Sequence, residues 1–318
     1  MSRAFVFPGQ ASQAVGMGRE VAEAFAVAKE IFEEVDEALK QNLSRLMFKG
    51  PDDELALTEN AQPAIMAVSL AVIRVLSEDG GIDLSQKVAF VAGHSLGEYS
   101  ALAAVGCLSV TDTAALLKTR GRAMQEAVPL GEGAMAALMG LDLETARAIA
   151  EEAAGADVCT TANDNAPGQV VVSGTAAAID RAVEIAKAKG AKRAIMLPVS
   201  APFHCALMAP AADVMADALA EVSMAPLPVP LVANITAQPV TDPAEIRPLL
   251  VEQVTGMVRW RECVLTMKEL GVDTMVEIGA GKVLSGLGRR IDADLGTMSV
   301  GTFIKMLPGR PAYKSDGH

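Results

Sequence analysis

The pentapeptide Gly93-His94-Ser95-Leu96-Gly97 stands between the apolar run Lys87-Val88-Ala89-Phe90-Val91-Ala92 and a helical pattern that continues to about Val105. A G-x-S-x-G at the junction of a buried strand and a helix predicts a nucleophile elbow, a turn sharp enough to lift the serine hydroxyl above the end of a sheet. The turn leaves no room for side chains at the flanking positions, hence glycine at both. At the start of a helix, Ser95 meets the positive end of the helix dipole, and the backbone N–H of Leu96 can serve a developing oxyanion. The fold class this implies is α/β, with a hydrolase-like part built on a central, mostly parallel sheet.

The rest of the chain can be read around that junction. Ala4-Phe5-Val6-Phe7 is a short buried strand closed by Pro8-Gly9, and it delivers Gln10 into a loop at the strand's end, where α/β proteins place chemistry. Helical patterning covers about Arg19 to Gln41 and, after the polar Thr58-Glu59-Asn60, Ala61 to Ser77. From 127 to 198 the pattern becomes compact. Strands at 133–139, 158–162, 169–173 and 191–197 alternate with helices at 143–153 and 176–189, with a hairpin across Asn163-Asp164-Asn165-Ala166-Pro167-Gly168. That order, βαββαβ, is the ferredoxin-like plan. We therefore expect a subdomain at 127–198 inserted into a larger one made of 1–126 and 199–318. Helices follow near 207–221, 245–254 and 261–270, then the strand Thr274-Met275-Val276-Glu277-Ile278 and a final helix after Gly279-Ala280-Gly281. Pro308 to His318 reads as a loose polar end.

Composition narrows the partners. With 51% apolar residues but only 3% aromatics in 318, the core must be packed from Ala, Val, Leu, Ile and Met. The formal net charge of -12 opposes binding to nucleic acid or to an anionic membrane. Cys107, Cys159, Cys205 and Cys263 are scattered and form no CxxC pair, which fits neither a disulfide framework nor a zinc site, and no metal is expected. The N-terminus lacks a signal-peptide apolar region, and no uncharged apolar run approaches membrane-spanning length, so a cytoplasmic location is expected.

A serine hydroxyl needs a base, and the chain has three histidines. His94 adjoins Ser95, and adjacent side chains diverge in a tight elbow; His318 ends the loose tail. His204, in Val199-Ser200-Ala201-Pro202-Phe203-His204 where the chain re-enters the larger subdomain, is the expected base. Many carboxylates could orient it, and sequence order singles out none. Gly279-Ala280-Gly281-Lys282 lacks the spacing and the hydroxyl residue of a phosphate-binding loop.

With these residues in place, the chain resembles the malonyl-CoA:acyl carrier protein transacylase family over nearly its whole length. The resemblance rests on Phe7-Pro8-Gly9-Gln10, Thr58 with Gln62-Pro63-Ala64, Gly93-His94-Ser95-Leu96-Gly97-Glu98, Arg120-Gly121-Arg122, Asn163, Phe203-His204, Asn234, Gln253 with Trp260, and Glu277-Ile278-Gly279 with Gly281-Lys282-Val283-Leu284. It implies that Ser95 is acylated with His204 as base, and that the backbone carbonyl of Gln253 orients the imidazole. It implies too that the amides of Leu96 and Gln10 hold the oxyanion and that Arg120 grips the malonyl carboxylate, a task suited to a two-pronged donor. Phe203 matches the malonyl-selective form of its motif, and Asn163 is carried over as a further substrate-binding residue. Ala280 and Met257 stand where the family commonly has proline.

The implied activity is malonyl transfer from malonyl-CoA to holo-acyl carrier protein by a ping-pong route for fatty-acid synthesis. No resident cofactor is implied, because the pantetheine thiols belong to the two substrates, and a monomer is favoured. A serine hydrolase and a non-catalytic carrier-binding module are the rivals; Arg120 argues against a hydrolase of neutral acyl groups. Lys187, Lys189, Lys192 and Arg193, and separately Arg289 and Arg290, are basic clusters that are either solvated faces or carrier-docking sites.

Overall fold

The computed structural model describes residues 2–301. The loose end expected from Pro308 to His318 lies outside these described residues. The strands are β1 (Arg3–Phe7), β2 (Phe90–Gly93), β3 (Gly133–Met139), β4 (Cys159–Ala166), β5 (Gln169–Thr175), β6 (Arg193–Met196), β7 (Leu231–Val232), β8 (Pro239–Val240), β9 (Thr274–Ile278) and β10 (Gly296–Val300). They form two sheets.

The larger sheet runs β10-β9-β1-β2-β7-β8 and is parallel except for the β7–β8 pair at one edge. β1 is buried at Ala4, Phe5, Val6 and Phe7, as a strand covered on both faces must be, which is why it reads as an unbroken apolar run. Its register pairs Val6 with Ala92 and Phe7 with Gly93, so the Gly9-Gln10 loop and the Ser95 turn leave the sheet side by side. The helix Thr58–Glu78 packs against this core. It has the length and apolarity to cross a membrane, but 89% of its most apolar stretch is buried inside the protein, as befits a core helix.

The smaller sheet, β4-β5-β3-β6, is antiparallel throughout. Helices Leu143–Ala154 and Ala176–Ala188 cover it, each started by a side-chain cap, Asp142 and Thr175. Ile149, Ala150, Ile179, Ala182 and Val183 close a separate core beneath them. Order and pairing are those of a ferredoxin-like βαββαβ unit.

Several expected elements take a different form. The helix expected from Arg19 to Gln41 breaks at Phe25, whose extended backbone separates Arg19–Ala24 from Ala26–Leu39. Lys87 closes a short helix, Leu84–Lys87, capped by Asp83, and the strand starts at Phe90. The hairpin is tighter than 163–168: β4 runs through Ala166 and the turn falls on Pro167-Gly168, with Gly168 at φ 70°. Asn163 is therefore a strand residue. Two irregularities in its pairing with β5, at Thr161/Asn163 and Asp164/Ala166, let so polar a segment lie in a strand while its outer edge meets Val258.

Candidate active site

The elbow is sterically closed. A Cβ on Gly93 would lie 1.8 Å from the carbonyl carbon of Gly97, and one on Gly97 would lie 2.2 Å from the carbonyl oxygen of Phe7, so only glycine fits at either place. Ser95 adopts a left-handed φ of 53°. The turn is pinned by Asn234, just past the end of the neighbouring strand β7, whose Oδ1 accepts from the Ser95 N–H at 2.8 Å and whose Nδ2 donates to the Gly93 carbonyl at 2.7 Å. His94 diverges from Ser95: its Nε2 bonds Asn165 Oδ1 at 2.8 Å and its ring lies against Trp260.

His204 comes to the serine from 109 residues away, its Nε2 2.9 Å from Ser95 Oγ. It too has a left-handed backbone, φ 60°. Its Nδ1 lies 2.8 Å from the carbonyl oxygen of Gln253. A carbonyl can only accept, so Nδ1 carries the proton and Nε2 presents a lone pair to the hydroxyl. Burial, followed by the nearby Arg120 charge, pushes the His204 pKa down to about 3, which keeps the imidazole neutral and able to accept a proton.

Arg120, on the helix Val110–Glu126, is 1% exposed. Nη1 donates to Gln62 Oε1 at 2.8 Å; Nη2 donates to Gln253 Oε1 at 2.9 Å and to Ser95 Oγ at 3.1 Å. Its Nε makes no hydrogen bond to the described residues, among which no carboxylate forms an ion pair with it. A buried cation next to a serine hydroxyl, without an anion of its own, is costly unless an anionic ligand completes it.

The backbone N–H groups of Leu96 and Gln10 make no hydrogen bond to the described residues. Leu96 precedes the helix Gly97–Ala104, and the loop carrying Gln10 abuts the elbow, since a Cβ on Gly9 would meet the His94 carbonyl oxygen at 2.7 Å. The Gln10 side chain donates to Thr58 Oγ1 at 3.3 Å. Phe203 is buried directly before His204. Asn163 is buried in β4, bridged through its backbone to Val258, and its side chain makes no hydrogen bond to Ser95, His204 or Arg120. Asn165 is the residue of that strand that reaches the elbow. A cleft of about 450 Å³ opens beside His204, lined by Thr160, Thr161, Ala206, Ala209, Thr255 and Met257.

Residues that sequence reasoning gave no role complete the site. Glu98, Gln62 and Asn234 stand within the motifs that carry the resemblance, but motif membership does not say what a side chain touches. Glu98 is buried. It accepts from the Asn234 N–H and from Gln253 Nε2, which also donates to the Ser95 carbonyl at 3.0 Å.

A tight serine turn at the end of a parallel sheet, with a ferredoxin-like insertion, is the architecture of an α/β acyltransferase. Residues 4–293 match the family described as acyl transferase domain. The malonyl CoA-acyl carrier protein transacylase of Bacillus subtilis (strain 168) is 45% identical over 298 residues, 93% of this chain and 92% of that protein. An acyl-carrier-protein-S-malonyltransferase from Bartonella henselae superposes with a TM-score of 0.93 at 56% identity, covering 95% of this chain and 96% of that one. A malonyl-transacylase solved in complex with its type II PKS acyl-carrier protein gives a TM-score of 0.91 at 42% identity, covering 94% and 96%. The chain belongs to the malonyl CoA-acyl carrier protein transacylase family.

Proposed function

We propose that this acyltransferase moves a malonyl group from malonyl-CoA to the pantetheine thiol of holo-acyl carrier protein, through a malonyl ester on Ser95, in fatty-acid synthesis. In the first half, His204 Nε2 takes the Ser95 proton as Oγ bonds the thioester carbon, and the Leu96 and Gln10 amides receive the oxyanion. The C–S bond then breaks and the CoA thiolate takes the proton from His204. In the second half the carrier's thiol gives its proton to His204 and attacks the ester, and Ser95 Oγ leaves with that proton. The thiols belong to the substrates, so the chemistry calls for no resident cofactor.

The observation that carries this reading is Arg120, a buried guanidinium 3.1 Å from Ser95 Oγ without a carboxylate of its own among the described residues. A malonyl carboxylate supplies that partner; a neutral acyl group does not. Phe203 adds bulk beside the base, which suits an unbranched malonyl unit, and we assign Asn163 to the substrate cleft because its strand supplies Thr160 and Thr161 to the wall. We place the enzyme in the cytosol as a monomer; four free, buried cysteines suit a reducing compartment.

Intact-protein mass spectrometry after mixing with malonyl-CoA tests this. We expect a stable malonyl adduct on the Ser95 peptide that holo-acyl carrier protein discharges. An enzyme that frees malonate with no carrier present, or that never acquires the adduct, would refute the proposal. Fatty-acid and polyketide carriers compared as acceptors identify the route served.

For carrier docking we favour Arg289 and Arg290, at the end of the helix Val283–Ile291. In the other basic cluster, Lys187 and Lys189 are already paired with Glu184 and Glu152. Charge reversal at Arg289 and Arg290 should raise the KM for carrier protein roughly 10-fold while leaving acylation by malonyl-CoA unchanged. An unaltered KM would reject this surface.

A further inference from the structure

Glu98 touches neither Ser95 Oγ nor His204 nor Arg120, yet it is a carboxyl group 1% exposed and set directly behind the reactive turn. Its oxygens are divided. Oε1 accepts from the backbone N–H of Asn234 and Oε2 from the side-chain nitrogen of Gln253. Among the described residues it forms no ion pair.

The Gln253 side chain is where this matters. An amide has a donating end and an accepting end, and the partners decide which end faces where. At one end Gln253 Nε2 faces three acceptors: Glu98 Oε2, the Ser95 carbonyl at 3.0 Å and Asn234 Oδ1 at 3.3 Å. At the other end Oε1 is left to accept from Arg120 Nη2 at 2.9 Å. Were the amide reversed, its N–H groups would confront the Arg120 N–H groups. The guanidinium would lose one of the two side-chain carbonyls that fix its plane, the other being Gln62 Oε1 at 2.8 Å.

Resting on the malonyl-transfer reading above, we propose that Glu98 is a positioning residue for acyl-donor selectivity. It fixes the sense of the Gln253 amide and thereby orients Arg120 for a carboxylate-bearing acyl group. The relay runs through one side chain: Glu98 to Gln253 to Arg120.

Glu98→Gln is the informative change, because it keeps size but offers only one accepting oxygen to two N–H donors. Either the Asn234 amide loses its acceptor or Gln253 must turn over. Acylation of Ser95 is followed by quench and mass spectrometry with malonyl-CoA and with acetyl-CoA. The expected result is a 10- to 100-fold drop in the malonyl-over-acetyl preference, carried mainly by a higher KM for malonyl-CoA. Gln253→Ala, which keeps the backbone carbonyl bonded to His204, should lower the preference by a similar factor. Combining the two should cost no more preference than Gln253→Ala alone, since both cut one relay. If Glu98→Gln does not fold, the Gln253→Ala result stands by itself. Equal losses for both donors, independent losses in the double variant, or an unchanged preference in Gln253→Ala each overturn the proposal. A wild-type enzyme that forms no malonyl adduct would instead overturn the proposed function.

Discussion

With His204 replaced by alanine, acylation of Ser95 by malonyl-CoA should slow by about 10⁴- to 10⁶-fold, and Ser95→Ala should abolish the covalent adduct altogether. The hydroxyl is 2.9 Å from Nε2, and no other imidazole among the described residues faces it, because His94 is bonded to Asn165. Single-turnover acylation followed by quench measures the loss directly. A residual rate within 10-fold of wild type would show that another group takes the proton. With His204 as the proposed base, the same imidazole should set the acid limb of the pH profile. Its folded-state pKa lies near 3, below the usual 6.5, so it stays neutral as the pH falls through the range where a free histidine protonates. Acylation should therefore not fade near pH 6.5 through protonation of His204. Stability behaves differently. Between 6.5 and 3 the unfolded chain binds a proton at this position that the folded chain refuses, so this group's contribution is present above pH 6.5 and is lost as the pH falls toward 3.

The second large effect is expected at Arg120. Truncating one partner of a buried, charge-assisted contact costs about 2–5 kcal/mol, so Arg120→Ala should lower kcat/KM for malonyl-CoA by roughly 30- to 5,000-fold. Acetyl-CoA has no carboxylate for the guanidinium to hold, and its acylation rate should change far less. Arg120→Lys should recover only part of the loss, because an ammonium cannot reproduce a fork that engages Gln62 and Gln253 together. Steady-state kinetics with both donors decide the matter; parallel losses for malonyl and acetyl would mean that Arg120 supports the fold of the pocket and does not select the acyl group.

How much of this could be read from the chain depended on the range of the interaction. The elbow was legible because its constraint is local: a buried strand, two glycines that exclude a Cβ, and a helix. The ferredoxin-like insertion was legible for the same reason, its alternating and helical periods being short and well punctuated. The helix carrying Arg120 went unassigned as an element, although Ser109 accepts from the Asp112 N–H and could have marked its start. The two-residue strands β7 and β8 carry too few residues to show a period, and β10 pairs on only one side. Asn163 read as part of a turn because Asn-Asp-Asn is turn-rich, and its pairing with Val171 of β5, with Val258 on the outer edge, makes it a strand residue. The contacts of Glu98 with Asn234 and Gln253 span 136 and 155 residues. Nothing in residue spacing encodes contacts across such separations; they exist only once the sheet has formed.

The left-handed backbone at both Ser95 and His204 leaves a trace in the evolutionary economics of the chain. At either bend glycine would sit more comfortably than the residue present, by about 1 kcal/mol, so the hydrogen-bonded Ser95–His204 pair is kept against the preference of the local backbone. A descendant released from its chemistry could relax at these two positions before any part of its hydrophobic interior began to drift.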